Sequence, residues 1–375
     1  MSPIGSGTMK TTYLLLLAGF ASMAGGCQPE EPAQASIAAP GTHEAALTAV
    51  GTWTLNASSP TTYVNHTATL MRATGDVLVT DGSTADVYNP YTNAWRRTAS
   101  LNTTLYARTA TELSSGKILV AGGYSGTLSN PSSSAELFDP ATETWSLTGS
   151  MATPRASHSS VLLDSGKVLA VGGNTPAQWE GPQAEVYDPD TGTWSAVSGS
   201  FTPRSRVSAT VLYSGKVLVT GGYVWWNSTT SSEANIYDPA TNSWSPAGNL
   251  STPRHGHFAI RLYSGNVMVV GGIGGGNSVE MYDPYNNQWF AGPSFPFDLS
   301  PLFSATMLYS GEILVTDAVG NAALYDPSTN TWLPAASMNQ RRYYQTATLL
   351  HTGQVLMVGG NGPSGALRSV ERFTR

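Results

Sequence analysis

Charge is what this 375-residue chain has least of: only 11% of its residues are Asp, Glu, Lys or Arg, under half the usual share. Lysine is down to Lys10, Lys117, Lys167 and Lys216, and no basic run occurs. With a formal net charge of -6, the chain lacks the clustered cations that a nucleic-acid backbone demands, which excludes that class of partner. Cysteine is nearly absent as well: Cys27 stands alone, so no disulfide can form within the chain. A domain above about 300 residues buries enough surface to do without one. Beyond the first 50 residues, Lys, Glu, Gln and Leu never gather at helical spacing, which argues against long amphipathic helices.

What is present begins with an export signal. Lys10 precedes an apolar run from Tyr13 to Phe20, too short for a permanent membrane span, and small residues follow as far as Cys27. Ala24-Gly25-Gly26-Cys27 resembles the lipobox of bacterial lipoproteins, although Ala24 stands where a larger aliphatic is commoner. The resemblance implies that Cys27 is acylated and that the protein sits in the cell envelope, as an outer-membrane lipoprotein, or outside the cell. The expected organisation is a signal over residues 1–27, a Pro- and Ala-rich flexible linker over 28–49, and one folded domain over 50–375.

That domain is a repeat. Tryptophan recurs at 53, 95, 145, 194, 244, 289 and 332, at spacings of 42 to 50 residues, which suits four-stranded propeller blades. Between successive Trp residues the order of signals is constant. A β-rich run closes in a turn glycine (Gly75, Gly116, Gly166, Gly215, Gly265, Gly311, Gly353), where a positive φ is wanted. Six residues on comes a Gly-Gly doublet, replaced by Asp81-Gly82 in the first repeat and Asp317-Ala318 in the sixth. An Asp, or Asn89 in the first repeat, then precedes each Trp from 95 to 332 by six residues; Asp-Pro fits a type I turn. The C-terminal run SVERFTR stops before any Trp strand, while GTWTL at 51–55 supplies one at the other end. The first strand is therefore expected to complete the last blade.

These residues resemble the kelch repeat: the Gly-Gly after the second strand, an aromatic in the third, and the Trp beyond the Asp. The resemblance covers residues 50–375 and implies an all-β, seven-bladed kelch-type β-propeller that acts as a binding or protein-interaction module.

Loop lengths point to one face. Nearly all length variation falls between the second and third strands (b and c), where the loops of adjacent blades two, three and four are long. Long loops on a rigid scaffold tend to carry binding residues. These hold Tyr124, Trp179, Tyr223, Trp225 and Trp226, rings suited to sugar faces or peptide side chains, unless they merely pack the loops together. On the same face, Arg108, Arg155, Arg204, Arg254 and Arg342 stand just before the inner strand. They would either ring the mouth as a carboxylate or phosphate site, or serve the framework, each buried and paired with a neighbouring blade through Glu136, Glu185, Glu233 or Glu280. Arginines at similar places grip acidic peptides in kelch propellers. The expected partner is a protein or glycan held by a monomer, with any membrane contact made through the lipid.

Catalysis finds little purchase. Galactose oxidase resembles this architecture, but its copper cofactor needs a Cys cross-linked to a Tyr, and the only Cys lies in the export segment. His158, His255 and His257 belong to the repeat pattern at the start of the inner strand, so no metal and no cofactor is expected. No nucleophile elbow, phosphate loop or His-Glu-X-X-His motif occurs. A carbohydrate-active enzyme, such as a kelch-like sialic-acid mutarotase, is the alternative.

Overall fold

The computed structural model describes residues 48–126, 130–175, 183–199, 201–297 and 303–375. The export segment with Cys27, most of the linker, and Trp179 lie outside the described residues. Seven four-stranded antiparallel sheets follow one another along the chain. Blade three is representative: strand a is Ser159–Leu162, b Val168–Val171, c Ala184–Asp188 and d Thr193–Ala196. Strand order runs a-b-c-d outwards, so a–b and c–d turns share one face and b–c and d–a connections the other. In the last sheet, strand d is the first strand of the chain, Thr52–Asn56, with Trp53 opposite Phe373.

The sequence pattern follows from what each strand touches. Strand b is buried in every blade, save Asp81 at the end of the first, because neighbouring sheets cover both of its faces; its apolar residues therefore run on without alternation. The core is accordingly divided into seven clusters, each shared by two consecutive blades. The cluster that joins Val77, Val79 and Tyr88 to Leu356, Val358 and Val370 lies between the last blade and the first.

The recurring Trp is a clasp between blades. In every sheet its ring packs tilted on the Tyr or Phe opposite it in strand c, with centroids 5.0–5.4 Å apart. In six blades its Nε1 donates to a backbone carbonyl of the preceding blade, as from Trp145 to Ala99 (3.0 Å) and from Trp53 to Ala336 (2.7 Å). The ring fills the outer core while its one polar atom holds the neighbour.

The Gly doublet marks a second close approach. A Cβ on Gly122 would lie 2.4 Å from the Arg155 carbonyl oxygen, and one on Gly221 would lie 2.2 Å from that of Arg254. Only glycine lets the next blade come so near, and the doublet's second N–H donates to the same carbonyl at 2.9 Å in both blades. Blade six dispenses with the pair because its loop is short. Asp317 Oδ1 accepts the N–H groups of Val319 and Asn321 at 3.0 and 2.8 Å, closing a tight Asx turn instead.

Candidate functional site

The loop face is built around the segment that leads into each inner strand. Four residues before strand a stand Arg155, Arg204, Arg254 and Arg342, and their guanidinium groups are fully buried. Arg155 donates from Nη1 to the Gly172 carbonyl (2.8 Å) and from Nη2 to Glu185 (2.8 Å). Arg254 repeats this with Gly271 and Glu280, and Arg342 with Gly359 and Glu371. The carboxylate also accepts backbone N–H groups from the incoming connection: Glu185 takes Ala152 and Thr153, and Glu371 takes Asn339 and Gln340. In blade four Asn235 holds this place and accepts from Arg204 at 2.6 Å, while Glu233 lies 3.2 Å from the same guanidinium. In blade one Tyr63 and Asp86 replace the pair, the hydroxyl donating to a carboxylate that Arg97 also grips.

These four arginines thus take the framework role rather than forming a cationic ring, but pair within a blade instead of across to a neighbour. Each faces into its own blade, towards strand c rather than solvent or a neighbour. Burial lowers the pKa of all four, to about 10 for Arg204, and carboxylates beside them oppose that shift. Arg108 is out of register with them. It directly precedes its strand, and Leu105 stands where the others have Arg. It too is buried, donating to the carbonyls of Gly82 and Leu105, and burial lowers its pKa to about 10.

The residue just before His158, His257 and His66, two before the strand, is the more telling position. Asn65, Ala107, Ser157, Arg206, Gly256 and Tyr344 all adopt the left-handed region there, with φ of 52–64°. Their backbones form a belt: Ser157 N–H donates to Ala107, Arg206 to Ser157 and Gly256 to Arg206. A left-handed backbone is costly for Arg and Tyr, and at Arg206 the belt's hydrogen bonds hold it in place. Arg206 and Tyr344 are exposed.

The expected aromatics divide. Tyr124 is buried, with its hydroxyl accepting from Asn174, so it serves packing rather than contact. Tyr223 is half-buried between Trp225 (centroids 4.9 Å apart) and His255 (5.1 Å). Trp225 and Trp226 begin a single 3-10 turn and are 37% and 39% exposed. Trp225 Nε1 donates to Ser205 at 2.8 Å, fixing that ring beside Arg206, and the two indoles close a shallow notch over Gly173 and Thr175. Burial lowers the pKa of His255, and the Arg206 charge lowers it further.

Sequence reasoning missed the distinction between paired and unpaired cations. Among the described residues, Arg206 and Arg341 are the two cationic side chains without an ion pair, hydrogen bond or ring contact, and both stand on the loop face. Only the left-handed register, legible once blades are aligned at strand a, separates Arg206 from the framework arginines.

The histidines do not assemble. His66, His158 and His257 belong to alternate blades, and each Nε2 is bonded to a threonine (Thr346, Thr109 and Thr220). Among the described residues no group of three or more His, Cys, Asp or Glu side chains converges as a metal site.

A family model described as the KLHDC2/KLHL20/DRC7 Kelch-repeats domain matches residues 107–316. Among solved structures, a fungal alcohol oxidase of the AA5 family in complex with copper is similar, with a TM-score of 0.71 and 19% identity; the match covers 87% of this chain and 76% of that one. At that identity the likeness shows the fold alone. No curated protein matches.

Proposed function

Because the chain belongs to the KLHDC2/KLHL20/DRC7 kelch-repeat domain family, whose propellers are interaction modules, we propose that it binds an extended polypeptide or glycan bearing carboxylates on its loop face. The observation that carries this reading is the placement of Arg206 and Arg341, unpaired beside exposed aromatics in a chain that pairs nearly all its other cations. An exposed guanidinium forks onto a carboxylate, and adjacent indoles offer flat contact area at low entropic cost. The order of Lys10, the apolar run and Cys27 supports an exported protein tethered by lipid to a bacterial envelope, with the linker over 28–49 presenting the propeller.

Arrays of acidic peptides and acidic glycans would identify ligands, each hit then being measured on Arg206→Ala/Arg341→Ala and Trp225→Ala/Trp226→Ala. Affinity should fall about 10-fold or more in either variant while the thermal midpoint barely moves. Undiminished binding, or loss of binding only together with loss of fold, would refute the reading. Chemical change in a bound sugar would favour the carbohydrate-active alternative. Mass spectrometry of the mature N-terminus tests the anchor: an unmodified residue beyond Cys27 would remove it.

A further inference from the structure

Three clefts lie on the opposite face, among the a–b and c–d turns. One of about 450 Å³ lies between blades two and three, lined by Lys117, Asp164, Lys167, Asp188 and Asp190. It shares Asp164, Ser165 and Lys167 with a second of about 440 Å³ that reaches Gly215 and Asp238 of blade four. Ser214 leads on to a third of about 230 Å³, walled by Tyr213, Pro284 and Tyr285. End to end they make one curved groove across four blades.

The chemistry of this groove changes along its length. At one end three lysines are each paired with the turn Asp of their own blade: Lys117 with Asp139 (3.1 Å), Lys167 with Asp188 (2.8 Å) and Lys216 with Asp238 (3.0 Å). At the other end Tyr213 and Tyr285 are 54% and 75% exposed, and both rings converge over Gly265. The Arg261 guanidinium lies 4.1 Å from the Tyr213 centroid, which fixes that ring in place.

Several classes of occupant fit this lining poorly. Four carboxylates line the first two clefts against two ammonium groups, which repels a polyanion. The turn backbones are satisfied internally, as in Leu163 N–H to Lys167 and Leu212 N–H to Lys216, so no strand edge is offered to a peptide. What remains is a run of fixed donors and acceptors with two carboxylates in excess, ending in exposed rings. Sugar hydroxyls use the first and sugar C–H faces the second.

We infer that this groove is a second binding site, independent of the loop-face ligand, which takes a neutral oligosaccharide chain with its rings stacked on Tyr213 and Tyr285. The full-length chain would be titrated calorimetrically with hexasaccharides of β-1,4-linked glucose, xylose, mannose and N-acetylglucosamine, with hyaluronan and a proline-rich peptide alongside. At least one neutral hexasaccharide should bind with an affinity that salt does not change, and Tyr213→Ala and Tyr285→Ala should each weaken it about 10-fold. Tyr213→Phe should retain most of the affinity, and Trp225→Ala/Trp226→Ala should leave it unchanged. The inference is overturned if none of the four binds, if the two Tyr variants bind as well as the parent, if only the Trp variant loses the sugar, or if hyaluronan or the peptide is preferred. The loop-face reading survives each of those results, because its own variants and acidic ligands test it separately.

Discussion

Lowering the pH from 7 to 5.5 should destabilise this propeller through three histidines that have no catalytic or binding part. His66, His158 and His257 sit buried at the interfaces between blades, each with a threonine on Nε2. Burial pushes all three down to a pKa of about 3, helped at His158 by the Arg155 charge and at His257 by those of Arg254, His255 and Arg204. Their ordinary value is near 6.5. Between pH 6.5 and 3 the unfolded chain therefore binds protons that the folded chain refuses, so stability falls as pH falls through that window.

At pH 5.5 each histidine costs on the order of 1 kcal/mol relative to pH 7, and the three together about 3–4 kcal/mol, a large part of a typical 5–15 kcal/mol stability. For a domain of this size that corresponds to a drop of roughly 6 °C in the thermal midpoint. Asp81 works the other way, since burial raises its pKa, but it is one half-buried group against three. The turn carboxylates Asp139, Asp188, Asp238, Asp283 and Asp326, lowered mainly by hydrogen bonds and lysines at their turns, matter only nearer pH 4 and below. Thermal scans at both pH values on the parent and on the triple variant His66→Gln/His158→Gln/His257→Gln are the assay. The triple variant should lose most of the pH dependence. An equal drop in both proteins, or none in the parent, would show that these imidazoles do not control the response.

Other substitutions probe the framework. Arg342→Met leaves Glu371 buried without its cation and should cost about 3–5 kcal/mol in urea unfolding. Gly221→Ala and Gly256→Ala share a positive φ, but only the first would press a Cβ against a backbone oxygen; its loss should be several-fold larger than the ~1 kcal/mol expected for the second. Trp194→Phe drops the bond to Gly149 and part of the indole's packing on Tyr187, for a loss of about 2–3 kcal/mol by calorimetry. Lys167→Ala removes one partner of an exposed pair and should leave the thermal midpoint within scatter.

The blades were legible because turns and clasps are local devices. A glycine at each a–b turn, an Asp six residues before a Trp, and a doublet where a neighbour's carbonyl intrudes are each forced by geometry within one or two blades, so they repeat. Side-chain destination was less legible. Arg155 and Arg206 both occur between a Pro-rich approach and an inner strand, yet one is walled in by Glu185 and the other stands in solvent. The two-residue difference in register that decides this is invisible until strand a is fixed. Tyr124 likewise reads as a loop aromatic, but Asn174 of the next blade captures its hydroxyl, a contact 50 residues away in sequence.

The shortage of charge noted at the outset now has a physical shape. Buried arginines hold glutamates that gather the N–H groups of incoming connections, and surface lysines hold turn aspartates, so charge in this chain mainly fastens blades. A framework that consumes its charges internally leaves a surface on which an unpaired one stands out. Arg206 and Arg341 do so on the loop face, where they favour an acidic ligand. The opposite face keeps its lysines paired and presents tyrosines instead, which favours a neutral one. The two faces therefore differ in chemistry, and the two sets of variants test them separately.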